Sequence, residues 1–505
     1  MTPGKATINR LKTGVPGFDE VLGGGLPEFS FNVIAGTPGC GKTTLAHQIM
    51  FALATPERPA LYFTVLGEPP LKMLRYQQQY DFFDSEKIGS SVHLVNLGAE
   101  MAAGDLKKVL DRIVAEVQAH GPALVFVDSF RSVVLASQTA GQAFIGLQEF
   151  VQQLGMLMTS WQATTFLIGE YFSESDPNPV FTVADGLIWM RQSVQRNSVV
   201  RKMEIMKVRG QPTLPGLHTF RISSDGIQVF PPATFESARA EENDPSMGDR
   251  LGMGVPGLDD MMGGGLPRGY SILIAGPSGS GKSILATAFL EEGARHGETA
   301  VIAAFEQRPT RSRGARIAEL IGSGRIGVVD SRDFSLSVDE IAMRLIAEVR
   351  RLKATRVVID SLSGFELALA PTFREDYRES LSRMVMALAT TGVTVLMTSE
   401  LEDRYSDLRF SPYGTAFLTD AIIVQRYIEV DSRLKRVMAV VKVRASAHSD
   451  ELRLFSIDAN GIQIGETLAD HEGLLGGRPT LRPTRDRLRL SHADGATPPG
   501  AAADD

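Results

Sequence analysis

Short apolar runs alternate along the chain with segments whose apolar residues recur at helical spacing. In the first half the apolar runs lie at residues 31–36, 60–66, 92–98, 123–129 and 164–170. Runs of this length predict strands that are buried on both faces. One face of a predicted helix, which Asp105 would cap, carries Leu106, Val109, Leu110, Ile113, Val114 and Val117. The alternation predicts an α/β fold in which helices flank a mostly parallel sheet.

The same succession of segments occurs twice, 240 residues apart. Residues 11–27 read LKTGVPGFDEVLGGGLP, and residues 251–267 read LGMGVPGLDDMMGGGLP. Later segments match in the same order, among them MKVRG with VKVRA and SDGIQVF with ANGIQIG. In the second copy Ser337 and Glu340 form a capping-box pattern ahead of a helix. A repeat of this length predicts two copies of one domain.

Composition marks the ends of the two copies. The stretch at residues 234–250 is polar and poor in apolar residues, as expected of a linker that cannot offset its ordering entropy by burial. Beyond residue 466 the chain is rich in Pro, Gly and Arg and then in Ala and Asp. We therefore predict a first domain at residues 1–240, a second at 245–466 and a flexible tail at 467–505.

Charge and cysteine content exclude several classes of protein. The formal net charge of the 505 residues is -7, so no overall positive field attracts nucleic acid or an anionic membrane. Cys40 is the one cysteine, which excludes an internal disulfide and a cysteine-based zinc site. The sequence has no apolar run of signal-peptide or membrane-spanning character. We expect a cytoplasmic protein with neither a membrane nor a nucleic acid as its partner.

Two glycine-rich loops carry the clearest chemical signal. Residues 36–44 (GTPGCGKTT) and 276–284 (GPSGSGKSI) match G-x-x-x-x-G-K-[ST], each between a predicted strand and an amphipathic helix. Glycines let backbone amides converge on phosphate oxygens, the lysine adds a positive charge, and the hydroxyl binds Mg²⁺. Chance glycine-rich turns are the alternative, and their recurrence at equivalent points argues against it.

The loops predict that ATP and Mg²⁺ are the cofactors. The predicted phosphate-binding residues are Gly36, Thr37, Pro38, Gly39, Cys40, Gly41, Lys42, Thr43 and Thr44 in the first copy, and Gly276, Pro277, Ser278, Gly279, Ser280, Gly281, Lys282, Ser283 and Ile284 in the second.

Acidic residues at strand ends complete the predicted sites. Asp128 and Asp360 each end an apolar strand, and we predict that they hold Mg²⁺ together with Thr43 and Ser283. A turn-forming aspartate is the alternative. Hydrolysis also needs a group that activates water, and the glutamates after the next strand, Glu68 and Glu306, are the candidates. A solvated loop carboxylate is the alternative for each of them.

Two further sets of polar residues recur in both copies. The strand after each aspartate closes with a polar residue, Glu170 in the first copy and Ser399 or Glu400 in the second. These residues could sense the γ-phosphate, or they could be solvated strand ends. Cationic pairs also lie on one face of a later strand in each copy: Lys207 with Arg209, and Lys442 with Arg444. In a monomer these cations would lie on a solvent-exposed face of the strand. Their recurrence favours contact with phosphate, including that of a neighbouring subunit, as an arginine finger makes.

These features together resemble the KaiC family of RecA-like ATPases over residues 8–466. The resemblance rests on the doubled core, the GVPGxDxxxGGGLP segments, the paired loops and the KVRG strands. It implies a double-layered homohexamer with ATP at subunit interfaces, where the four cations reach the neighbour's nucleotide. It also implies a slow ATPase in one layer, an ATPase and Ser/Thr autokinase in the other, and a KaiB-like or other signalling protein as a candidate partner.

The sequence departs from the family pattern in two places. Members usually carry adjacent glutamates after the second strand, whereas this chain has Gly67–Glu68 and Glu306–Gln307. At the adjacent Ser and Thr autophosphorylation positions it has Ala416 and Phe417, neither of which bears a hydroxyl. Hydroxyls occur nearby at Thr415 and Thr419, but a displacement of about 3 Å is enough to lose in-line positioning.

Three functions compete at this point. The first is a KaiC-like hexameric ATPase whose hydrolysis drives a conformational signalling switch, with autokinase activity as an addition. The second is a RecA- or RadA-like DNA-dependent ATPase, against which stand the acidic balance and the missing cysteines. Its one supporting feature is the arginine-rich tail, with Arg478, Arg482, Arg485, Arg487 and Arg489. The third is a nucleotide-gated scaffold with little catalysis.

Overall fold

The chain forms two compact units, of which the first extends to Pro232. The computed structural model describes residues 8–65, 70–102, 106–133, 144–173, 178–195, 198–232, 249–305, 314–330, 337–369, 377–401, 418–430, 432–468, 471–472 and 480–481. Unit 1 covers the described residues from 8 to 232, and unit 2 those from 249 onward. Each unit holds one copy of the sequence repeat.

Unit 1 alternates strands and helices in its first two thirds and ends in strands. Its strands are β1 (Arg10–Leu11), β2 (Leu26–Pro27), β3 (Phe31–Gly36), β4 (Ala60–Thr64), β5 (Val92–Asn96), β6 (Leu124–Asp128), β7 (Thr164–Glu170), β8 (Gly186–Gln195), β9 (Ser198–Val208), β10 (Leu217–Ser223) and β11 (Gly226–Phe230). Its helices are α1 (Phe18–Val21), α2 (Lys42–Leu53), α3 (Pro70–Gln77), α4 (Gly98–Ala102), α5 (Leu106–His120), α6 (Phe144–Ser160) and α7 (Pro179–Val183).

Unit 2 repeats this plan. Its strands are β12 (Arg250–Leu251), β13 (Leu266–Pro267), β14 (Ser271–Gly276), β15 (Ala300–Ala304), β16 (Ile326–Asp330), β17 (Arg356–Asp360), β18 (Thr394–Glu400), β19 (Ala421–Val430), β20 (Arg433–Val443), β21 (Arg453–Asp458), β22 (Gly461–Thr467), β23 (His471–Glu472) and β24 (Thr480–Leu481). Its helices are α8 (Pro256–Met261), α9 (Lys282–Arg295), α10 (Ala315–Gly322), α11 (Val338–Leu352), α12 (Leu362–Ala368) and α13 (Tyr377–Ala389).

Each unit is built on a nine-stranded sheet. The strand order is β5-β4-β6-β7-β3-β8-β9-β10-β11 in unit 1 and β16-β15-β17-β18-β14-β19-β20-β21-β22 in unit 2. The first six strands of each series are parallel, and the last three are antiparallel. The predicted mostly parallel α/β sheet is therefore confirmed in both halves. The glycine-rich loops follow the central strands β3 and β14.

The core of unit 1 lies on both faces of its sheet. Val33 and Ala35 of β3 pack with α5 and α6, whereas Ile34 between them packs with α2 and the terminal strands. Successive residues of a strand point to opposite faces, so a strand covered on both sides is apolar throughout. This packing explains why the uninterrupted apolar runs predicted the strands.

Helix α11 begins as its sequence predicts. The Ser337 hydroxyl oxygen accepts a 3.1 Å hydrogen bond from the amide of Glu340, which satisfies one free donor of the first turn. The Glu340 carboxylate also accepts from Arg344 at 2.6 Å. Asp105, the predicted cap of α5, lies outside the described residues.

An ion pair joins the turn after β2 to the segment before β4 in unit 1, and the turn after β13 to the segment before β15 in unit 2, with the two charges exchanged between the units. In unit 1, Arg58 contacts Glu28 at 3.4 Å. In unit 2, Arg268 donates to Glu298 at 3.0 Å, and the carboxylate of Glu298 also accepts from the buried Arg356 at 2.6 Å. Because the repeat offset is 240, Glu28 corresponds to Arg268 and Arg58 to Glu298.

Most of the predicted tail lies outside the described residues. Within it, β23 pairs with β24, and β22 ends at Thr467. The flexible character of residues 467–505 stays a prediction. In the described parts of both units, no helix is long and apolar enough to cross a membrane.

Candidate nucleotide sites

The glycine-rich loop of unit 1 joins the end of β3 to the first turn of α2. A Cβ at Gly36 would lie 2.0 Å from the carbonyl oxygen of Met190, and a Cβ at Gly41 would lie 2.6 Å from Ile222. The φ angle of Gly41 is +104°, which side-chain-bearing residues rarely adopt. The loop thus needs glycine at these points, and it presents the N-terminus of a helix, a favourable place for phosphate.

The loop lysines fold back over their own loops. Nζ of Lys42 donates to the carbonyl oxygen of Thr37 at 2.8 Å, and Nζ of Lys282 donates to the carbonyl oxygens of Gly276 and Pro277, both at 2.8 Å. Each ammonium group therefore lies directly above the concave loop. This is where a lysine contacts the outer phosphates of a nucleotide.

The predicted metal-binding residues meet at the carboxyl end of the unit 1 sheet. Thr43, at the start of α2, donates its hydroxyl to Oδ2 of Asp128 at 2.8 Å. Asp128 ends β6, and burial raises the pKa of its carboxyl group, although hydrogen bonds from Tyr62 and Thr43 and the charge of Lys42 oppose the shift. A carboxylate beside a hydroxyl is a donor set that suits Mg²⁺ with bound water.

Unit 2 places the equivalent aspartate at the end of β17. Asp360 accepts a short hydrogen bond from the hydroxyl of Thr398 on the neighbouring strand β18. Ser283 opens α9, as Thr43 follows the start of α2. The peptide bonds Asp128–Ser129 and Asp360–Ser361 are both cis. The two units therefore repeat the backbone of this site closely, and the hydrogen-bond partners of the aspartates differ.

A cavity of about 730 Å³ opens above the loop of unit 1. Lys42, Thr43 and Asp128 line one side, and Met73, Tyr76, Gln77 and Tyr80 line the side formed by α3 and the residues after it. The hydroxyl of Thr64 and Oε1 of Gln77 are buried without a hydrogen-bond partner in the described part of the chain. Unsatisfied buried polar atoms beside a phosphate-binding loop fit a polar ligand of nucleotide size.

The pairing of the strands shows which residue of unit 2 corresponds to Glu170. Glu170 pairs with Gly36 across β7 and β3, and Glu400 pairs with Gly276 across β18 and β14. Glu400, rather than Ser399, is therefore the counterpart of Glu170. Ser399 is fully buried. Glu170 lines the cavity beside Asp128, which suits the predicted role near the γ-phosphate.

Lys207, Arg209, Lys442 and Arg444 lie near the amino ends of the parallel strands of their own sheets, opposite the ends that carry the glycine-rich loops. Arg209 contacts Asp185 at 3.1 Å, and Asp185 binds the amide of Phe31 at the start of β3. The loop begins at the far end of that strand, about 17 Å away. Arg444 likewise contacts Asp420 at 2.9 Å. The structure does not bring either arginine together with the loop of its own unit.

Lys207 and Lys442 lie at the same end of their sheets as the arginines. Nζ of Lys207 lies 3.4 Å from the carbonyl oxygen of Thr182, and Nζ of Lys442 lies 2.5 Å from that of Thr419. Burial and the neighbouring arginine lower the pKa of each lysine. The cationic pairs therefore form two equivalent patches, one on each unit.

A protein-family comparison matches both units. The model of the ATPase KaiC matches residues 11–234 and again residues 251–469, which together make up most of the chain. The chain belongs to the KaiC ATPase family. Its duplicated KaiC domain accounts for the repeated loops.

Several KaiC proteins are similar to the chain over almost its whole length. The circadian clock oscillator protein KaiC of Rippkaea orientalis is 27% identical over 500 residues, which covers 96% of this chain and 94% of the relative. That of Picosynechococcus sp. is 26% identical over 499 residues, with 96% and 95% covered. That of Acaryochloris marina is 24% identical over 504 residues, with the same coverage.

The predicted water-activating glutamates, Glu68 and Glu306, lie outside the described residues. The amide of Val65 donates to the carbonyl oxygen of Asp128, and that of Phe305 donates to Asp360 in the same way. Glu306 follows Phe305 directly, whereas Glu68 is the third residue after Val65. At the sequence offset of 240, Leu66 rather than Glu68 corresponds to Glu306. The role of each glutamate stays a prediction.

One cation of the unit 1 cavity was not identified from the sequence. Arg201 on β9 lines the unit 1 cavity, and its Nε is buried without a hydrogen-bond partner in the described part of the chain. Arg436 on β20 lies six residues before Lys442, as Arg201 lies six residues before Lys207. The recurrence of an arginine at this spacing in both copies could have identified Arg201 from the sequence. Ala416 and Phe417, at the phosphorylation positions, lie outside the described residues.

Proposed function

We propose that the protein is a homohexameric, double-ring ATPase that binds Mg-ATP in both units and couples hydrolysis to a conformational signalling switch. The observation that supports this most strongly is the repeated site. Each unit places a lysine-bearing loop beside a strand-terminal aspartate at the carboxyl end of a parallel sheet, where such folds bind ligands.

The residues of each site divide the work of holding Mg-ATP. Backbone amides of the loop and the lysine would hold the phosphates, Thr43 or Ser283 would bind Mg²⁺, and Asp128 or Asp360 would orient its water ligands. The bound metal neutralises charge on the terminal phosphates. Arg201 and α3 would hold the remainder of the nucleotide in unit 1.

The position of the cations supports assembly. Arg209 and Arg444 expose 57% and 58% of their side chains and lie about one strand length from the loop of their own unit. Exposed arginines far from their own site are suited to complete the site of a neighbour. We therefore propose that both cationic pairs act across subunit interfaces in a ring.

The spacing of the glutamates in the sequence supports unequal units. Glu306 directly follows Phe305, whose amide donates to the carbonyl oxygen of Asp360, and we propose Glu306 as the group that orients the attacking water. Unit 1 has Leu66 at that position and offers Glu68 two residues further on. We propose that unit 2 hydrolyses ATP faster than unit 1, and that unit 1 holds its nucleotide longer.

Autophosphorylation is the less supported part of the function. The usual hydroxyl positions carry Ala416 and Phe417. Of the nearby hydroxyl residues, Thr419 is fully buried, and Lys442 donates to its carbonyl oxygen. We propose that phosphate is released to water and that the chain gains little label.

ATP with a labelled γ-phosphate tests this function in the full-length chain. Wild type is compared with Lys42→Ala, Lys282→Ala and the double variant. We expect released phosphate from wild type, a larger loss from Lys282→Ala than from Lys42→Ala, and no nucleotide bound by the double variant. Label that stays on the chain would support an autokinase, and stimulation by DNA would support the motor alternative. Tight binding without release would support the scaffold.

A further inference from the structure

In each unit a side-chain hydroxyl on a strand next to the aspartate-bearing strand donates to the metal-site aspartate, and that strand differs between the units. In unit 1 the phenol of Tyr62 on β4 donates to Oδ2 of Asp128 at 2.8 Å. The equivalent position of unit 2 is Ile302, which has no hydroxyl. There the hydroxyl of Thr398 on β18 donates to Asp360, and the unit 1 counterpart of Thr398 is Ile168.

The exchange follows from the order of the strands. The strand that ends in the aspartate lies between two neighbours in each sheet: β6 lies between β4 and β7, and β17 lies between β15 and β18. Asp128 is paired with Ile168 on one side, and Tyr62 reaches it from the other. Each unit therefore provides one hydroxyl from one neighbouring strand and an apolar isoleucine from the other.

Tyr62 is held in place by an aromatic column that unit 2 lacks. Its ring stacks on His47 at 4.5 Å and on Phe126 at 5.9 Å, and Phe126 stacks on Phe166 at 4.8 Å. All four side chains are buried. The equivalent residues of unit 2 are Thr287, Ile302, Val358 and Leu396. The phenol thus has little freedom to turn away from Asp128.

His47 serves as the apolar end of this column. Its two ring nitrogens have no hydrogen-bond partner among the described residues, and burial lowers its pKa to about 3. The ring is therefore neutral in the physiological range. It packs flat against Tyr62 and adds no charge to the site.

We propose that Tyr62 in unit 1 and Thr398 in unit 2 are positioning residues, each of which orients the metal-site aspartate of its unit toward Mg²⁺. This inference rests on the proposed function. The hydroxyl engages one carboxylate oxygen, so the carboxylate keeps one orientation, and the other oxygen would be left to accept hydrogen bonds from water ligands of the metal. Thr43 also donates to Oδ2 of Asp128, and Tyr62 adds a second donor from a rigid side chain.

The test isolates unit 1 with Lys282→Ala in the full-length chain and adds Tyr62→Phe. Binding of a fluorescent ATP analogue is titrated with Mg²⁺ and repeated in EDTA. We expect Tyr62→Phe to raise the Mg²⁺ concentration at half-saturation by about 10- to 100-fold, as loss of an outer-shell partner does. Binding in EDTA should stay unchanged, because the phenol donates its hydrogen bond to Asp128 and not to the loop. Phe retains the ring of the column, so a packing defect is not expected.

A hydroxyl introduced on the other neighbouring strand distinguishes a role in orienting Asp128 from a role in packing. Ile168→Thr in the Tyr62→Phe background copies the arrangement of unit 2 and should return the Mg²⁺ midpoint toward that of the Lys282→Ala parent. The matched variant in unit 2 is Thr398→Val with Lys42→Ala, and it should show the same Mg²⁺-specific loss.

Each result has a distinct meaning. An unchanged Mg²⁺ midpoint in Tyr62→Phe would overturn the inference and leave the proposed function intact. So would an equal loss in EDTA, or a shift that Ile168→Thr does not reverse. If the Lys282→Ala parent itself binds no analogue, nucleotide binding by unit 1 fails, and the inference fails with it.

Discussion

Glu298→Gln should destabilise unit 2 alone, because it removes the only carboxylate that hydrogen-bonds to a buried guanidinium in the described structure. The side chain of Arg356 is 2% exposed. Its Nε donates to Glu298 at 2.6 Å, and one terminal nitrogen donates to the carbonyl oxygens of Gly252 and Phe289 at 2.9 Å. The variant keeps the shape of residue 298 and removes its charge.

The expected loss is about 3 kcal/mol. Removing one partner of a buried ion pair costs about 3–5 kcal/mol. The lower figure applies because Arg356 keeps its two carbonyl acceptors and its stacking on Phe289, 4.4 Å from the ring centre, and because the side chain of Glu298 is 13% exposed. The control is Glu28→Gln, whose partner Arg58 lies 3.4 Å away. That pair is 42% and 24% exposed, so its loss should cost about 1 kcal/mol or less.

The tryptophans provide a built-in reference for the assay. The chain has two, Trp161 and Trp189, and both lie in unit 1. In urea, tryptophan fluorescence follows unit 1, and far-ultraviolet circular dichroism follows both units. Glu298→Gln should move one dichroism transition down by about 1 M urea or more and leave the fluorescence transition unchanged. A shift shared by both signals, or a loss below about 1 kcal/mol, would refute the reasoning.

The pH dependence adds a second check. Burial raises the pKa of Glu298, but hydrogen bonds from Arg356 and Arg268 outweigh it, so the pKa lies below the ordinary 4.5. A carboxyl group with a lowered pKa contributes stability that is present above the unfolded pKa and lost as the pH falls through the folded one. The stabilities of wild type and Glu298→Gln should therefore converge in acid.

Three further predictions concern the sites and unit 2. In a Lys282→Ala background, subunits that carry Lys42→Ala and subunits that carry Arg209→Ala should each be inactive, and co-assembly should restore part of the hydrolysis; no recovery would argue against cations acting across an interface. Burial and neighbouring carboxylates raise the pKa of Asp259 to about 6, so unit 2 should gain stability, by at most about 3 kcal/mol, as the pH falls from 7 toward 4. Asp259→Asn should abolish this gain in urea titrations at several pH values. Ser337→Ala should cost about 1 kcal/mol in the same unit 2 transition, because it removes the cap of α11; an unchanged transition would contradict that role.

The apolar pattern was sufficient to predict the strands, because both faces of each sheet are covered. Its error is at strand ends. The run at residues 60–66 continues past β4, which ends at Thr64. The spatial order of the strands was beyond prediction, because it depends on which helix packs against which face. The linear pattern does not contain that information.

The site was predictable where chemistry requires one residue type at a fixed spacing. The loops and the strand-terminal aspartates meet that condition: in both units the loop precedes a helix and the aspartate ends a strand. Their contacts with nucleotide and metal stay predictions. Tyr62 was hidden, because a buried tyrosine in an apolar run is also an ordinary core residue. Its hydroxyl gains significance only when Asp128 is found 2.8 Å away.

The reversed ion pairs have a consequence for how two near-identical halves of one chain fold without exchanging parts. If the turn after β2 docked against the segment before β15, Glu28 would face Glu298, and the reciprocal error would set Arg268 against Arg58. Like charges brought together in this way are unfavourable, so the reversal disfavours this exchange of segments between the two halves.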